Sequence, residues 1–273
     1  ITHPIEVAAF IAEWGLDEQT IAGALMHDVI EDTPVTKEEL TRILKELTNG
    51  IRPFLPLLIA YQELLSDIDV IAAKAKYALK INGIMPQISN NRRMYFREAF
   101  HPILLVTNME QKKITYPQTF ELGKDSRIIV ISGPNAGGKS VTLSTVGLLQ
   151  FLFQSGCLVP LAEGSTMGFF SQLFLDMGDE QNLENELSTY SSHLSNMRHF
   201  LQHVNEKTLI LVDEFGTGTE PSLGGAIAES ILEKLADKGC YGAINTHFGN
   251  LKSLADRQKG LFNAAMRYDT EHL

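Results

Sequence analysis

The sequence is poor in cysteine, in basic residues and in long apolar runs, and each shortage excludes a class of protein. Only two cysteines occur, Cys157 and Cys240, which excludes a disulfide framework and favours a reducing compartment. The 23 lysines and arginines are outnumbered by 33 aspartates and glutamates, giving a net charge of −10. A broadly basic surface for nucleic acid is therefore excluded, and DNA contact would need a local patch.

The longest apolar runs reach about half of the roughly 20 residues that a membrane-spanning helix needs. The first residues, THPIEVAAFIAEW, lack the basic start and apolar run of a signal peptide. We therefore expect a cytoplasmic protein with no membrane partner. Apolar residues make up 44% and charged residues 21% of the 273, an ordinary globular composition that is enough for one or two domains.

The first part of the chain has helical patterns. Thr36 and Glu39 form a capping box, which predicts that a helix begins there. Further helices are predicted at Pro4–Trp14, Asp17–Ile30 and within 51–82.

From residue 127 onward, strands alternate with helices. The apolar runs RIIVIS, FFSQLFLD, TLILVD and YGAINT predict strands, and the segments between them predict helices at Lys139–Gln154, Ser191–Val204 and Leu223–Ala236. This alternation predicts an α/β fold with a mixed, largely parallel sheet and flanking helices, preceded by a short all-α segment.

The strongest functional signal is GPNAGGKS, which fits G-x-x-x-x-G-K-[ST] between a predicted strand and a predicted helix. Its glycines let backbone N–H groups approach a phosphate, and the helix N-terminus adds partial positive charge. Lys139 would reach the β- and γ-phosphates and Ser140 would hold Mg²⁺. The alternative is a plain glycine turn. The predicted nucleotide-binding residues of this loop are Gly133, Pro134, Asn135, Ala136, Gly137, Gly138, Lys139, Ser140 and Val141.

Two further motifs follow predicted strands. In LILVDEFGTGT, Asp213 ends an apolar strand and would hold Mg²⁺, while Glu214 would polarise the attacking water. The alternative is an acidic pair that caps a strand. In THF, His247 follows the next strand and would sense the γ-phosphate, although a lone histidine is more often structural.

A fourth motif, LSTYSSHL, opens a predicted helix. Ser188 and Thr189 are predicted either as ordinary N-caps or as a clamp for the nucleotide of a second subunit. The glycine loop, the serine-rich helix start, the acidic strand end and the histidine occur in the order typical of P-loop ABC-type ATPases.

Several segments together resemble the ATPase of the MutS family, most closely its second, recombination-suppressing branch. They are GPNAGGKSVTLSTVGLLQ, DMGDEQNLENELSTYSSHL, DEFGTGTEP and NTHFGNLKSLA, with AKAKYALKINGIMP and REAFHPILL upstream, and they cover about 43–273. The resemblance implies hydrolysis of ATP to ADP and phosphate in a homodimer with composite sites. It also implies that Ser140 and Asp213 hold Mg²⁺, that Glu214 and His247 are catalytic, and that Ser188 and Thr189 complete the partner's site.

The family is linked to mismatched or branched DNA, to suppression of recombination and DNA repair, and to ribosome rescue. DNA or the ribosome is therefore a partner by resemblance only. The second branch continues beyond NAAMRYDTEHL, so we expect an ATPase domain at 101–273 that is truncated at its C-terminus, after a helical connector at 43–100.

The first residues, HPIEVAAFIAEWGLDEQTIAGALMHDVIEDT, resemble the HD hydrolase domain of RelA/SpoT alarmone enzymes. The resemblance implies a partial HD domain at 1–42, with Mn²⁺ ligands and an acidic pair at His3, His27, Asp28, Glu31 and Asp32. Imidazole and carboxylate suit Mn²⁺, but a helix end with solvated acids would have the same pattern. A fourth ligand has no counterpart, so we expect no working HD site. The alternative functions are thus a metal-dependent guanosine tetraphosphate pyrophosphohydrolase or an inactive remnant. The two resemblances together imply that part of an HD domain is joined to a MutS-type ATPase near residues 36–48.

Overall fold

The computed structural model describes residues 33–133, 137–177, 186–217 and 220–266, with the backbone alone for 186–190. The chain divides into two units between Val70 and Ile71. The helices predicted within the first 32 residues lie outside the described ranges.

In the first unit, helix α1 covers Lys37–Ile51 and is followed by a short 3₁₀ turn at Arg52–Phe54 and the start of α2, Leu55–Lys80. The Thr36 hydroxyl accepts the Glu39 N–H at 3.2 Å, which confirms the predicted N-cap. Helix α2 confirms the helical periodicity predicted within 51–82.

Within its described residues, the second unit continues with fourteen elements. They are β1 (Gln87–Ser89), β2 (Met94–Ala99), α3 (Pro102–Glu110), β3 (Gln118–Leu122), β4 (Ser126–Ser132), α4 (Lys139–Gln154), β5 (Thr166–Gly168), β6 (Gln172–Asp176), α5 (Glu186–His203), β7 (Thr208–Val212), α6 (Pro221–Asp237), β8 (Tyr241–Asn245), α7 (Gly249–Arg257) and β9 (Gly260–Ala265). Strands β1, β5, β2 and β3 form a small mixed sheet in that order, and the other five form a second sheet.

The second sheet has the strand order β6-β7-β8-β4-β9, and every pairing in it is parallel. This confirms the predicted α/β fold. Parallel strands all end at the same edge, so the residues that follow β4, β7 and β8 are brought to one side of the sheet. Helix α4 has the predicted bounds, whereas α5 begins at Glu186 instead of Ser191. Ser188 and Thr189 therefore lie in the first turn of α5, and the prediction that they cap it is wrong.

The core lies on both faces of the parallel sheet, because successive strand residues point to opposite faces. Ile129 and Ile131 pack toward α4, in a cluster that includes Leu143. Ile128 and Val130 pack on the other face, in a cluster with residues of α5, α6 and α7. Central strands buried on both sides read as continuous apolar runs, which is why RIIVIS and TLILVD were recognisable in the sequence.

Both cysteines are free, and burial raises the pKa of the Cys240 thiol to about 12. Among the helices of the described ranges, none combines the length and the apolar character needed to cross a bilayer.

Candidate functional site

The glycine loop lies between β4 and α4, as the motif predicted. Gly133 has φ +131° and Gly138 has φ +80°, conformations that glycine adopts without strain. Gly138 is the N-cap residue of α4 and has no side chain with which to cap it. The first N–H groups of a helix lack intrahelical acceptors, so this helix start can bind an anion. Residues 134–136 of the loop lie outside the described ranges.

Lys139 is the first residue of α4 and is only 2% exposed. Its Nζ donates to the Gly133 carbonyl at 2.6 Å and lies 3.3 Å from His247 Nε2. The two side chains are therefore within hydrogen-bonding distance, with the donor and acceptor roles set by the tautomer of the imidazole. The fold thus brings together a lysine and a histidine that sequence analysis predicted from separate motifs.

The charge state of Lys139 is set by opposing effects. Burial lowers the pKa of its amine, and the nearby positive charge of Lys252 acts in the same direction. The negative charges of Asp213 and Glu214 oppose this lowering. Asp213, Glu214 and Lys252 are therefore all within electrostatic reach of Lys139.

Asp213 follows β7 and is 7% exposed. Its Oδ1 accepts the Glu214 N–H at 3.0 Å and an Asn245 Nδ2 hydrogen at 2.8 Å. Glu214 is exposed and has φ +47°, which costs a side-chain-bearing residue about 1–2 kcal/mol. Its carbonyl accepts the N–H of Thr217 at 3.1 Å and the hydroxyl of Thr217 at 2.8 Å, which hold this strained backbone in place.

Two side chains at this edge carry oxygen donors that a magnesium ion could use. Within the described residues, Asp213 Oδ2 has no hydrogen-bond partner, while Ser140 is exposed in the first turn of α4. A carboxylate and a hydroxyl are hard oxygen donors of the kind Mg²⁺ prefers. The described part of the chain contains no group of three or more His, Cys, Asp or Glu residues placed to hold a metal.

Asn245 was not predicted from the sequence. It is the last residue of β8 and is 1% exposed, and it holds Asp213 through Nδ2 while its Oδ1 is buried with no partner among the described residues. Its backbone carbonyl also accepts the Phe215 N–H at 2.9 Å. The available signal was a polar residue at the end of the apolar run YGAIN, two positions before His247.

We expect Asn245→Leu to lower the free energy of unfolding by about 1–2 kcal/mol, measured by urea denaturation. Leucine has a similar volume but removes a hydrogen bond to the buried carboxylate of Asp213, and the loss of the unpartnered Oδ1 offsets part of that cost. The exposed Asn90→Leu is the matched control and should change stability by less than about 0.5 kcal/mol. An unchanged or increased stability of Asn245→Leu would contradict this role.

A cavity of about 310 Å³ opens beside the glycine loop. It is lined by Gly137 and Gly138 of the loop, and by His101, Tyr116 and Gln118 from outside it. The Oε1 atom of Gln118 is buried without a partner in the described residues. No sequence motif indicated this cavity, because its lining comes from α3, α4, the first residue of β3 and the segments that precede these elements.

The side chains of the remaining predicted residues fall outside what the structure describes. Only the backbone of Ser188 and Thr189 is described, within α5. The five predicted HD residues lie within the first 32 and therefore outside the described ranges.

The family to which this parallel sheet and its edge site belong is shown by comparison with known proteins. The model of MutS domain V matches residues 129–272, more than half of the chain. The chain therefore belongs to the MutS domain V family.

The curated relatives identify the branch of the family, since they carry the name Endonuclease MutS2. Those of Clostridium kluyveri and Ligilactobacillus salivarius are each 40% identical over 237 residues, covering 87% of this chain and 29% of the relative. That of Lactiplantibacillus plantarum is 39% identical over 249 residues, covering 91% of this chain and 31% of the relative. These matches confirm the predicted MutS2 branch, and the chain spans about 30% of the length of these relatives.

A second family model, the HD domain, matches residues 1–113. Its range includes the N-terminal segment in which the HD resemblance was recognised, and it extends over α1 and α2.

Proposed function

We propose that this chain binds ATP with Mg²⁺ and hydrolyses it to ADP and phosphate. The observation that carries the proposal is the contact of Lys139 with Gly133 and His247 at the edge where Asp213 and Glu214 follow β7. Membership of the MutS domain V family supports it independently.

The phosphates would bind at the start of α4. The free N–H groups of its first turn and the buried ammonium of Lys139 are complementary to a polyanion, and burial strengthens their attraction because water screens it less. An acidic protein can therefore bind a nucleotide, since the positive field is local.

Hydrolysis would use the two acidic residues for different tasks. Glu214 is exposed and held in a strained conformation, and it would accept a proton from water. Asp213, oriented by Asn245, would hold Mg²⁺ together with Ser140. The bound Mg²⁺ would neutralise charge on the phosphates.

The base of the nucleotide would occupy the cavity beside the loop. Tyr116 offers an aromatic face at the wall of this cavity. This position also keeps the base within one nucleotide length of Gly138.

We further propose a homodimer in which Ser188 and Thr189, in the first turn of α5, complete the partner's site. The ATPase domain would be 101–273, after a connector at 43–100, with a cytoplasmic location. Mismatched or branched DNA and the ribosome are proposed as partners from the resemblance alone.

The alternative is an alarmone hydrolase site at 1–42 with Mn²⁺. The match of the HD domain model favours an HD domain as the origin of that segment.

The test is the melting temperature of the purified chain with ATP and Mg²⁺. At a hundredfold excess of ATP over its Kd the folded state gains about 2.7 kcal/mol, which corresponds to a rise of roughly 5–10 °C for a domain of this size. AMP with Mg²⁺ is the control, because it lacks the phosphates that Lys139 would contact, and it should give little shift.

Phosphate release that rises more steeply than protein concentration would support the dimer. No ATP-dependent shift would reject the proposal.

A further inference from the structure

Asp176, at the end of the edge strand β6, connects the site to helix α5. It is 5% exposed, and its two carboxylate oxygens accept hydrogen bonds from two side chains of α5. His193 Nδ1 donates to Oδ2 at 2.7 Å, and Asn196 Nδ2 donates to Oδ1 at 2.8 Å. Two short bonds to one buried carboxylate fix α5 on the sheet at this point.

The same residue also contacts the proposed magnesium ligand. The Asp213 N–H donates to the Asp176 carbonyl at 2.8 Å, in continuation of the pairing between β6 and β7. A single residue therefore separates α5 from the residue that would hold Mg²⁺. A displacement of α5 would be passed to Asp213 through one hydrogen-bonded residue.

A small cavity lies between α5 and the loop that follows Glu214. Its lining includes His193 and Leu194 from α5, and Phe215, Gly216 and Thr217 from the loop. The hydrogen bond to Asp176 raises the pKa of His193 despite burial, and the charges of Asp176 and Glu214 add to that rise. His193 is therefore within the electrostatic field of Glu214 as well as bonded to Asp176.

We propose that Asp176, His193 and Asn196 form a positioning unit that sets the placement of Asp213 and Glu214 according to the position of α5. The inference rests on the proposed ATPase activity.

The test compares three variants of the full chain in ATP affinity and in kcat. His193→Leu removes the donor and should lower kcat by at least about tenfold, with ATP affinity within twofold. His193→Asn places its Nδ2 where the imidazole Nδ1 was, so it should retain kcat within about threefold. His203→Leu makes the same change at an exposed position of α5 and should match the wild type.

Three results would overturn the positioning role. They are an unchanged kcat in His193→Leu, an equal loss of kcat in His193→Leu and His193→Asn, and a parallel loss of ATP affinity and kcat. If the leucine variant does not fold, imidazole NMR of the wild type decides: a non-hydrolysable ATP analogue with Mg²⁺ should shift the His193 resonance and leave His203 unshifted. No shift of His193 would then reject the proposal. A wild type that binds no ATP would instead reject the proposed function, before any variant is compared.

Discussion

Lys139→Ala should abolish ATP binding, with a loss of affinity of at least about a hundredfold. The ammonium is buried and would contact the β- and γ-phosphates, and hydrogen bonds to charged groups contribute about 1.5–3 kcal/mol each. Each 1.4 kcal/mol corresponds to about a factor of ten in Kd. The measurement is the ATP-dependent melting shift, which should disappear.

The same substitution should change the melting temperature without nucleotide only slightly. Removing the amine leaves the Gly133 carbonyl without its donor. It also removes a positive charge that burial disfavours, as the lowered pKa of the amine indicates, and this offsets part of the loss. Lys252→Ala removes an equal charge from the same neighbourhood and should retain ATP binding within about twofold. A melting shift that survives in Lys139→Ala would contradict the phosphate-binding role.

Glu214→Gln should stop turnover while the chain continues to bind ATP. A general base contributes about 10²- to 10⁴-fold to the rate, and glutamine keeps the shape of the side chain but cannot accept the proton. The backbone that places residue 214, held by Thr217, is unaffected by the exchange. Phosphate release should therefore fall at least about a hundredfold, while the ATP-dependent melting shift is retained.

Glu233→Gln, at an exposed position of α6, is the matched control and should hydrolyse ATP like the wild type. If Glu214→Gln retains its turnover, another residue is the base. If it loses the melting shift as well, Glu214 contributes to binding, and the separation of tasks between the two acidic residues is wrong.

Local signals were enough for most of the second unit. The bounds of α4 were predicted correctly because the glycine loop fixes its first residue and Gly156 follows its end. Strands β4, β7 and β8 were recognisable because burial on both faces makes them continuously apolar. The start of α5 was placed too late because serines that resemble caps occur inside its first turn.

Strand β9 and the short strands β1, β2, β3 and β5 were not predicted individually. Strands β1 and β5 have three residues each, and β2, β3 and β9 are partly exposed, so no continuous apolar run marks any of them. Strand β9 is specified by its register against β4, in which Ala265 pairs with Ser132. Such a pairing between distant segments leaves no local pattern in the sequence.

The α/β class, the glycine loop with Lys139 and the acidic pair Asp213–Glu214 can be predicted from the sequence, because each depends on neighbouring residues in the chain. The contacts of Lys139 with His247, of Asn245 with Asp213, and of Asp176 with both α5 and Asp213 arise from folding. These contacts join residues on different strands and helices. They exist because parallel strands end at one edge, which strand order and register control and which no single segment specifies.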